Sequence, residues 1–275
     1  MCRLLAYASS SPTTLETLIG NDQCNAFRDM SRLHADGWGT AWIDEASSAS
    51  GIQRERATIP VDRSVPISSA MESEHASARI VHLRMATSGM AVTLENTHPF
   101  LTEAIAFAHN GGVLPLDRLQ GLLDPAALAT VEGDTDSEHY FALIRQHQTA
   151  GLSLFDAVCA TVTLLREHFP NASLNALVLS EAELVVVHSS EKARIPLADF
   201  QASGLSDVEL PVDHLTSYYQ MSYLRTEDGS VAFSSTGINT TGWTPLPPAS
   251  VASVSLKTLE LSIRSLLEAP IVSVR

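Results

Sequence analysis

Only three cysteines occur in 275 residues, Cys2, Cys24 and Cys159, and no two form a C-x-x-C pair. That leaves no material for a disulfide framework or a zinc knuckle. Cationic side chains are scarce as well: 17 Lys and Arg stand against 31 Asp and Glu, giving a formal net charge of −14. The cations are scattered rather than gathered into a stripe, so neither nucleic acid nor an anionic membrane surface is an expected partner. Long apolar runs are missing too. None approaches the roughly 20 residues that cross a bilayer, and the first ten residues lack the basic and apolar regions of a secretory signal. A soluble, cytoplasmic protein is expected. Neither G-x-x-x-x-G-K-[ST] nor H-E-x-x-H occurs, so no metal and no cofactor is expected.

What is present is the material of a globular protein, with 45% apolar and 17% charged residues. The length suits two average domains or one large one. Residues 2–8 read as a buried strand, and SPTTLETLIG as a helix with Ser11 as cap, Pro12 in the first turn and Gly20 as stop. GWGTAWID reads as a strand, SSASGIQRER as an exposed loop or hairpin connection, and 67–77 as a short helix. ARIVHLRMAT and EAIAFAHN are β-rich runs. PLDRLQGLL, SEHYFALIRQHQ and LSLFDAVCATVTLLREHF carry helical periodicity. Strands return with SLNALVLS, ELVVVHSS, YYQMSYLRTEDGSVAFSST and ASVSLKTLELSI, with a hairpin turn at the DG pair. Strands, then helices, then strands fit an α+β fold in which two antiparallel sheets carry helices on their outer faces, as a single domain over 1–275.

Several segments carry candidate chemistry. Cys2 directly follows the initiator methionine, which is generally removed when the second residue is small. Its thiol would then lie beside a free α-amine, whose ordinary pKa is about 7.7 to 8.0. Such a nucleophile carries its own base, although position alone also fits a small apolar residue starting a strand. In FAHNGGV, Asn110 and the Gly111 amide could form an oxyanion hole, and Asn-Gly is equally a turn signal. Arg84 could grip a carboxylate with two parallel hydrogen bonds or sit in a surface ion pair. In GDTDSEHYF, Thr135 and Glu138 match a helix capping box. Asp136 falls in the first helical turn, where it could also hold an ammonium. His34, Asp36, Gly37 and Gly39 of HADGWG and Asn96 of ENTHPF fit turns and loop anchors. Trp38 and His98 are kept as pocket candidates. Cys159 reads as a buried inert thiol, and Cys24 has no obvious catalytic neighbour.

Taken in order, MCRLLAY, HADGWG, HLRMATSG, LENTHPF, AHNGG and TDSE resemble the class II glutamine amidotransferase family, particularly its stand-alone members. The resemblance implies an N-terminal nucleophile hydrolase fold, a four-layer αββα sandwich of two antiparallel sheets. It implies that Cys2 attacks the γ-carbonyl of glutamine or a γ-glutamyl compound while Asn110 and the Gly111 amide hold the oxyanion. By the same resemblance Arg84 binds the α-carboxylate and Asp136 the α-ammonium, with Thr87 and His98 in matching motifs. Met85 and Ser88 depart from the Trp and His often found there in synthase-fused members. Three functions remain open: a free-standing γ-glutamyl hydrolase, a glutaminase subunit supplying ammonia to a partner synthase, and a non-catalytic binding module. A homodimer is also open.

Overall fold

The computed structural model describes residues 2–43, 51–59, 67–87 and 89–267. Strands β1 (Arg3–Thr13), β2 (Trp38–Ile43), β3 (Ile52–Ala57) and β4 (Ala76–Leu83) form the first half, with helices α1 (Leu15–Ile19), α2 (Asn21–Asp29) and α3 (Ile67–Glu72). Next come β5 (Phe100–Leu101), β6 (Ile105–Gly112), α4 (Leu116–Gln120), α5 (Pro125–Leu128), α6 (Asp136–Thr149) and α7 (Leu154–His168). The chain continues through β7 (Ser173–Ser180), β8 (Glu183–His188), α8 (Leu197–Ala202), β9 (Met221–Arg225), β10 (Val231–Ser235), β11 (Thr244–Pro245), β12 (Ser250–Ser255) and β13 (Leu261–Ser265).

The strands form a seven-stranded sheet, β11-β9-β10-β1-β4-β2-β3, and a six-stranded sheet, β13-β12-β8-β7-β6-β5. Every pairing is antiparallel. Successive side chains of a strand point to opposite faces, and that rule sorts the core into layers. Leu4, Ala6 and Ala8 of β1 meet Ala106 and Ala108 of β6 and Leu177 and Leu179 of β7 between the sheets. The alternate residues face outward. Leu5 and Tyr7 pack on Leu15, Phe27 and Met71 of the N-terminal helices, and Ile105 and Phe107 pack on Tyr140, Phe141 and Val158 of α6 and α7. Helix, sheet, sheet, helix is the expected α+β sandwich.

Local details depart from the sequence reading. Ser11 and Pro12 lie inside β1, which runs past a register shift to pair Thr13 with Ala76. The cap is Thr14, whose hydroxyl accepts the Thr17 N–H at 3.2 Å, three residues later than expected. Gly20 ends the helix as expected, at φ 86° with its N–H on the Glu16 carbonyl. IQRER forms edge strand β3 rather than a loop. Its charges mislead because an exposed edge tolerates and even favours them. The rest of that segment, 47–50, lies outside the described residues, as do Met1 and Ser88. The helix expected over 67–77 stops at Glu72, since Ala76 already pairs into β4. The DG turn does join β9 to β10, with the Gly229 N–H on the Thr226 carbonyl at 3.0 Å.

Phe107 is fully buried, its ring parallel to that of Phe141 at 5.3 Å and edge-on to Tyr140 at 5.1 Å. Phe107→Ala should destabilise the protein by about 3–5 kcal/mol, read as a lowered urea midpoint with unchanged slope.

Candidate active site

The alternation that builds the sheets also assembles the site. Cys2 precedes β1 in phase with Leu4, Ala6 and Ala8, and Asn110 continues the phase of Ala106 and Ala108. The two residues therefore meet between the sheets. The Cys2 N–H donates to Asn110 Oδ1 at 2.9 Å, and the Asn110 Nδ2 is buried without a hydrogen-bond partner. The Asn110 carbonyl accepts the Ser173 hydroxyl at 2.7 Å. Gly111 must be glycine here, because a Cβ would stand 2.0 Å from the Ser173 carbonyl oxygen and 2.6 Å from His109 Nε2.

Arg3 fixes Cys2 from behind. Its Nε donates to the Cys2 carbonyl at 2.6 Å, and its Nη1 donates to Thr236 Oγ1 at 2.8 Å and to the Tyr218 carbonyl at 3.2 Å. The fully buried guanidinium lies 3.7 Å over the Tyr218 ring, and the Tyr218 hydroxyl adds a bond to the Cys2 carbonyl at 3.5 Å.

Arg84 leaves the end of β4 and is almost wholly buried. Its Nη2 donates to the Ala91 carbonyl at 3.0 Å and its Nη1 to the Asp36 carbonyl at 3.4 Å. HADGWG is tied to the same segment. The Arg84 N–H reaches the Gly37 carbonyl at 2.8 Å, and Asp36 Oδ2 accepts the Ala86 N–H at 2.7 Å. Asp36 is thus a loop anchor. Asn96 is another, taking the Asp134 N–H on Oδ1 at 2.9 Å and donating to the Ala91 carbonyl at 3.3 Å.

Asp136 opens α6, capped by Thr135, whose hydroxyl accepts the Glu138 N–H at 3.1 Å. One Asp136 oxygen accepts the Val113 N–H at 2.5 Å, locking the helix start to the end of β6. The capping box forms only by half. Glu138 turns to the Glu132 and Gly133 N–H groups, at 2.9 and 2.7 Å, because the preceding loop curls within its reach.

His98 is buried with neither ring nitrogen bonded; its ring stands 4.4 Å from His82 and 4.6 Å from Phe100. Burial, then the neighbouring His82, hold its pKa well below the ordinary range, so it backs His82 as a neutral ring. Thr87 is exposed in the loop after β4, where its carbonyl accepts the Met90 N–H; its position does not join it to Cys2. Trp38 packs in the outer core with Val81 and Leu83, and His34 is buried against His214, their Nε2 atoms 3.3 Å apart.

The sequence reading passed over Arg3, His82 and Tyr218. The signal for His82 was its place two residues before Arg84 in one β run, which puts both on the same face. Burial raises the Cys2 thiol, but the charge of His82, foremost among the opposing influences, helps to more than offset this, bringing the thiol down to about 6. Burial instead pushes Cys24 up to about 12 and Cys159 up to about 11. A depressed pKa means that thiolate accumulates as pH rises through that value. Iodoacetamide should therefore label Cys2 at a rate that climbs through pH 6 and levels above 7, leaving Cys24 and Cys159 unmodified by peptide mapping. His82→Asn should move the midpoint upward; a midpoint near 8.5 in the unaltered protein would contradict the assignment.

The family profile described as glutamine amidotransferases class-II matches residues 1–248. A protein of Haemophilus influenzae, provisionally named a glutamine amidotransferase, is 28% identical over 204 residues, covering 69% of this chain and 63% of that protein. The gamma-glutamyl-hercynylcysteine sulfoxide hydrolase of Mycolicibacterium smegmatis is 29% identical over 157 residues, 56% of this chain and 60% of the other. The chain thus spans less than two thirds of the length of the curated relatives it matches. Among solved structures, a glutamine aminotransferase class-II domain protein from Silicibacter pomeroyi superposes with a TM-score of 0.62 at 18% identity, over 98% of this chain and 100% of that one. The phosphoribosylpyrophosphate amidotransferase of Bacillus subtilis gives 0.60 at 14%, over 96% and 49%. These likenesses place the sandwich among N-terminal nucleophile hydrolase folds, and the profile match over nearly the whole chain makes this protein a member of the class II glutamine amidotransferases.

Proposed function

We propose that the chain is a γ-glutamyl amidohydrolase that works through a thioester on Cys2 after removal of Met1. The observation that carries this reading is the divided role of Asn110. Its Oδ1 holds the Cys2 nitrogen at 2.9 Å, while its Nδ2 stays buried with an unspent donor. A buried N–H₂ without a partner costs about 1–3 kcal/mol, and a developing oxyanion beside the thiol would satisfy it. With Met1 gone, the nitrogen on Oδ1 becomes the α-amine.

In the proposed cycle the thiolate attacks the γ-carbonyl, and Asn110 Nδ2 with the Gly111 amide takes the oxyanion. The proton lost by the thiol, kept on the α-amine or His82, passes to the departing amine as the C–N bond breaks. Water then cleaves the thioester and releases glutamate. Arg84, already steadied by two main-chain carbonyls, directs its remaining N–H groups to the α-carboxylate. The free oxygen of Asp136 meets the α-ammonium. The substrate is glutamine or a small γ-glutamyl compound. We further propose that residues 1–275 act as one unit; among the described residues no helix is long and apolar enough to cross a membrane.

Glutamate release from glutamine and from γ-glutamyl amides, measured on protein whose intact mass shows Met1 removed, tests the reading. Retained Met1 in active protein would sink the amine mechanism. Cys2→Ala should abolish turnover with the thermal transition intact. Asn110→Ala should lower kcat by about 10²- to 10³-fold; a change in KM alone would make Asn110 a binding group. Arg84→Lys should raise KM roughly tenfold or more, because an ammonium cannot reproduce the guanidinium fork.

A further inference from the structure

A cavity of about 260 Å³ opens on the flank of the sandwich, where edge strands β3 and β5 meet α6. Its charged lining is Arg54 and Arg56 of β3, Glu95 and Glu132 of two loops, and Glu138 and Arg145 of α6. β3 is the third strand from β1, in the order β1-β4-β2-β3, so it runs about 14 Å away at the ordinary strand spacing. None of Cys2, Arg84, Asn110 and Asp136 lines the cavity, which is therefore separate from the candidate active site.

Three guanidinium groups share this space with three carboxylates, and among the described residues no ion pair joins them. Other bonds hold the two signs apart. Two-residue alternation puts Arg54 and Arg56 on one face of β3. Arg54 Nη1 donates to the Pro99 carbonyl at 3.3 Å and Arg56 Nη1 to the Thr97 carbonyl at 2.8 Å. Arg145 Nη1 donates to Thr130 Oγ1 at 3.1 Å. On the facing wall, Glu138 is occupied by the Glu132 and Gly133 N–H groups. Glu132 itself enters a hydrogen bond only through its N–H, which leaves its carboxylate without a partner among the described residues. Burial lowers the pKa of Arg54 and Arg56, and the charge of Glu132 acts on both in the opposite direction. The two walls thus sense each other across a gap that they do not close.

Opposite charges held apart in one cavity suit a ligand that carries both charges on a short frame. We infer that this cavity is a second binding site, taking a free α-amino acid. Its carboxylate accepts the remaining N–H groups of Arg54 and Arg56, and its ammonium donates to the Glu132 carboxylate. The charged lining sums to zero, three arginines against three glutamates, and so does the ligand. A polyanion such as a nucleotide would bring its charge against those glutamates.

Occupation of the cavity is felt at Arg84 and Asp136 through Asn96. Glu132 lies two residues ahead of Asp134, whose N–H is held by Asn96 Oδ1 at 2.9 Å, and four ahead of Asp136. Asn96 Nδ2 and Arg84 Nη2 donate to the same Ala91 carbonyl, at 3.3 and 3.0 Å. An amino acid that ties β3 to Glu132 therefore steadies the loops over 91–97 and 132–136.

Alanine, which has no γ-carbonyl, is the probe. Calorimetry should give a millimolar or tighter Kd, with propionate and ethylamine, each lacking one charge, at least tenfold weaker. Glu132→Gln removes no hydrogen bond of the fold and should weaken alanine binding roughly tenfold, as should Arg54→Gln combined with Arg56→Gln. Arg84→Lys should leave it unchanged. Hydrogen exchange over 91–97 and 132–136 should slow with alanine in the unaltered protein and not in Glu132→Gln. Absent binding, equal binding of alanine and propionate, or binding lost in Arg84→Lys and kept in Glu132→Gln would overturn the inference. Binding that depends on Glu132 but leaves exchange unchanged would overturn the steadying of the loops. None of these readouts needs turnover, so failure of the proposed hydrolysis leaves the test intact.

Discussion

Everything at the site hangs on one hydrogen bond between two sheets, from the Cys2 nitrogen to Asn110 Oδ1 at 2.9 Å. Its donor precedes the first strand of one sheet and its acceptor lies two residues before the end of a strand of the other, so its length is set by how closely the sheets pack. The facing rows explain why they pack so closely. Ala6, Ala8, Ala41 and Ala78 meet Ala106, Ala108 and Ala252, and small side chains let main chains approach within reach of one short amide. Bulkier residues would force the rows apart, because cores are close-packed and do not absorb extra volume without strain. The alanines are therefore as much a part of the site as the polar residues at its rim.

The buried arginines hold the rim in a way that leaves the field around Cys2 intact. Arg3 and Arg84 are anchored mainly by main-chain carbonyls rather than by carboxylates. A carboxylate partner would have cancelled each charge locally, whereas carbonyl acceptors engage some of the donors, Arg3 Nη2 staying unpaired, and leave the net positive charge in place. Burial lowers the pKa of both side chains; the proximity of Cys2 acts on both in the opposite direction. The same scaffold that fixes the main chain of Cys2 thus surrounds its thiol with positive charge.

Much of this was legible in the chain. The two-residue phase of MCRLLAYA and AIAFAHNG puts Cys2 and Asn110 on the inner faces, and the order strands, helices, strands gives the layers. Elsewhere the physical signal was hidden. Arg3 sits in an apolar run, and its fully buried guanidinium, on the outward face of β1 with Leu5 and Tyr7, depends on Thr236 and Tyr218, more than 200 residues away. β3 reads as a loop because an edge strand needs only alternate pairing, not apolar composition. Thr14 displaced Ser11 as the helix cap because pairing with Ala76 extends β1 through Thr13, and a hydrogen-bonded strand outweighs the modest preference of proline for a first helical turn. Thr87 matched a motif, but its loop leaves it exposed; a motif fixes order along the chain and not the direction of a side chain.

The thiol value changes where the proton stands before the proposed reaction begins. A pKa of about 6 makes thiolate outnumber thiol by about ten to one at pH 7. The base has then done its work before substrate arrives, and the difficult proton transfer moves to the second half of the step, when a poor leaving amine must be protonated as it departs. A group with a pKa near 8, such as an α-amine, is well matched to that duty, because it is mostly charged at neutral pH and still releases its proton to a more basic nitrogen. In the proposed cycle the lowered thiol and the N-terminal amine divide the labour that a single histidine performs in Cys-His proteases, so that removal of Met1 supplies the acid as well as uncovering the thiol.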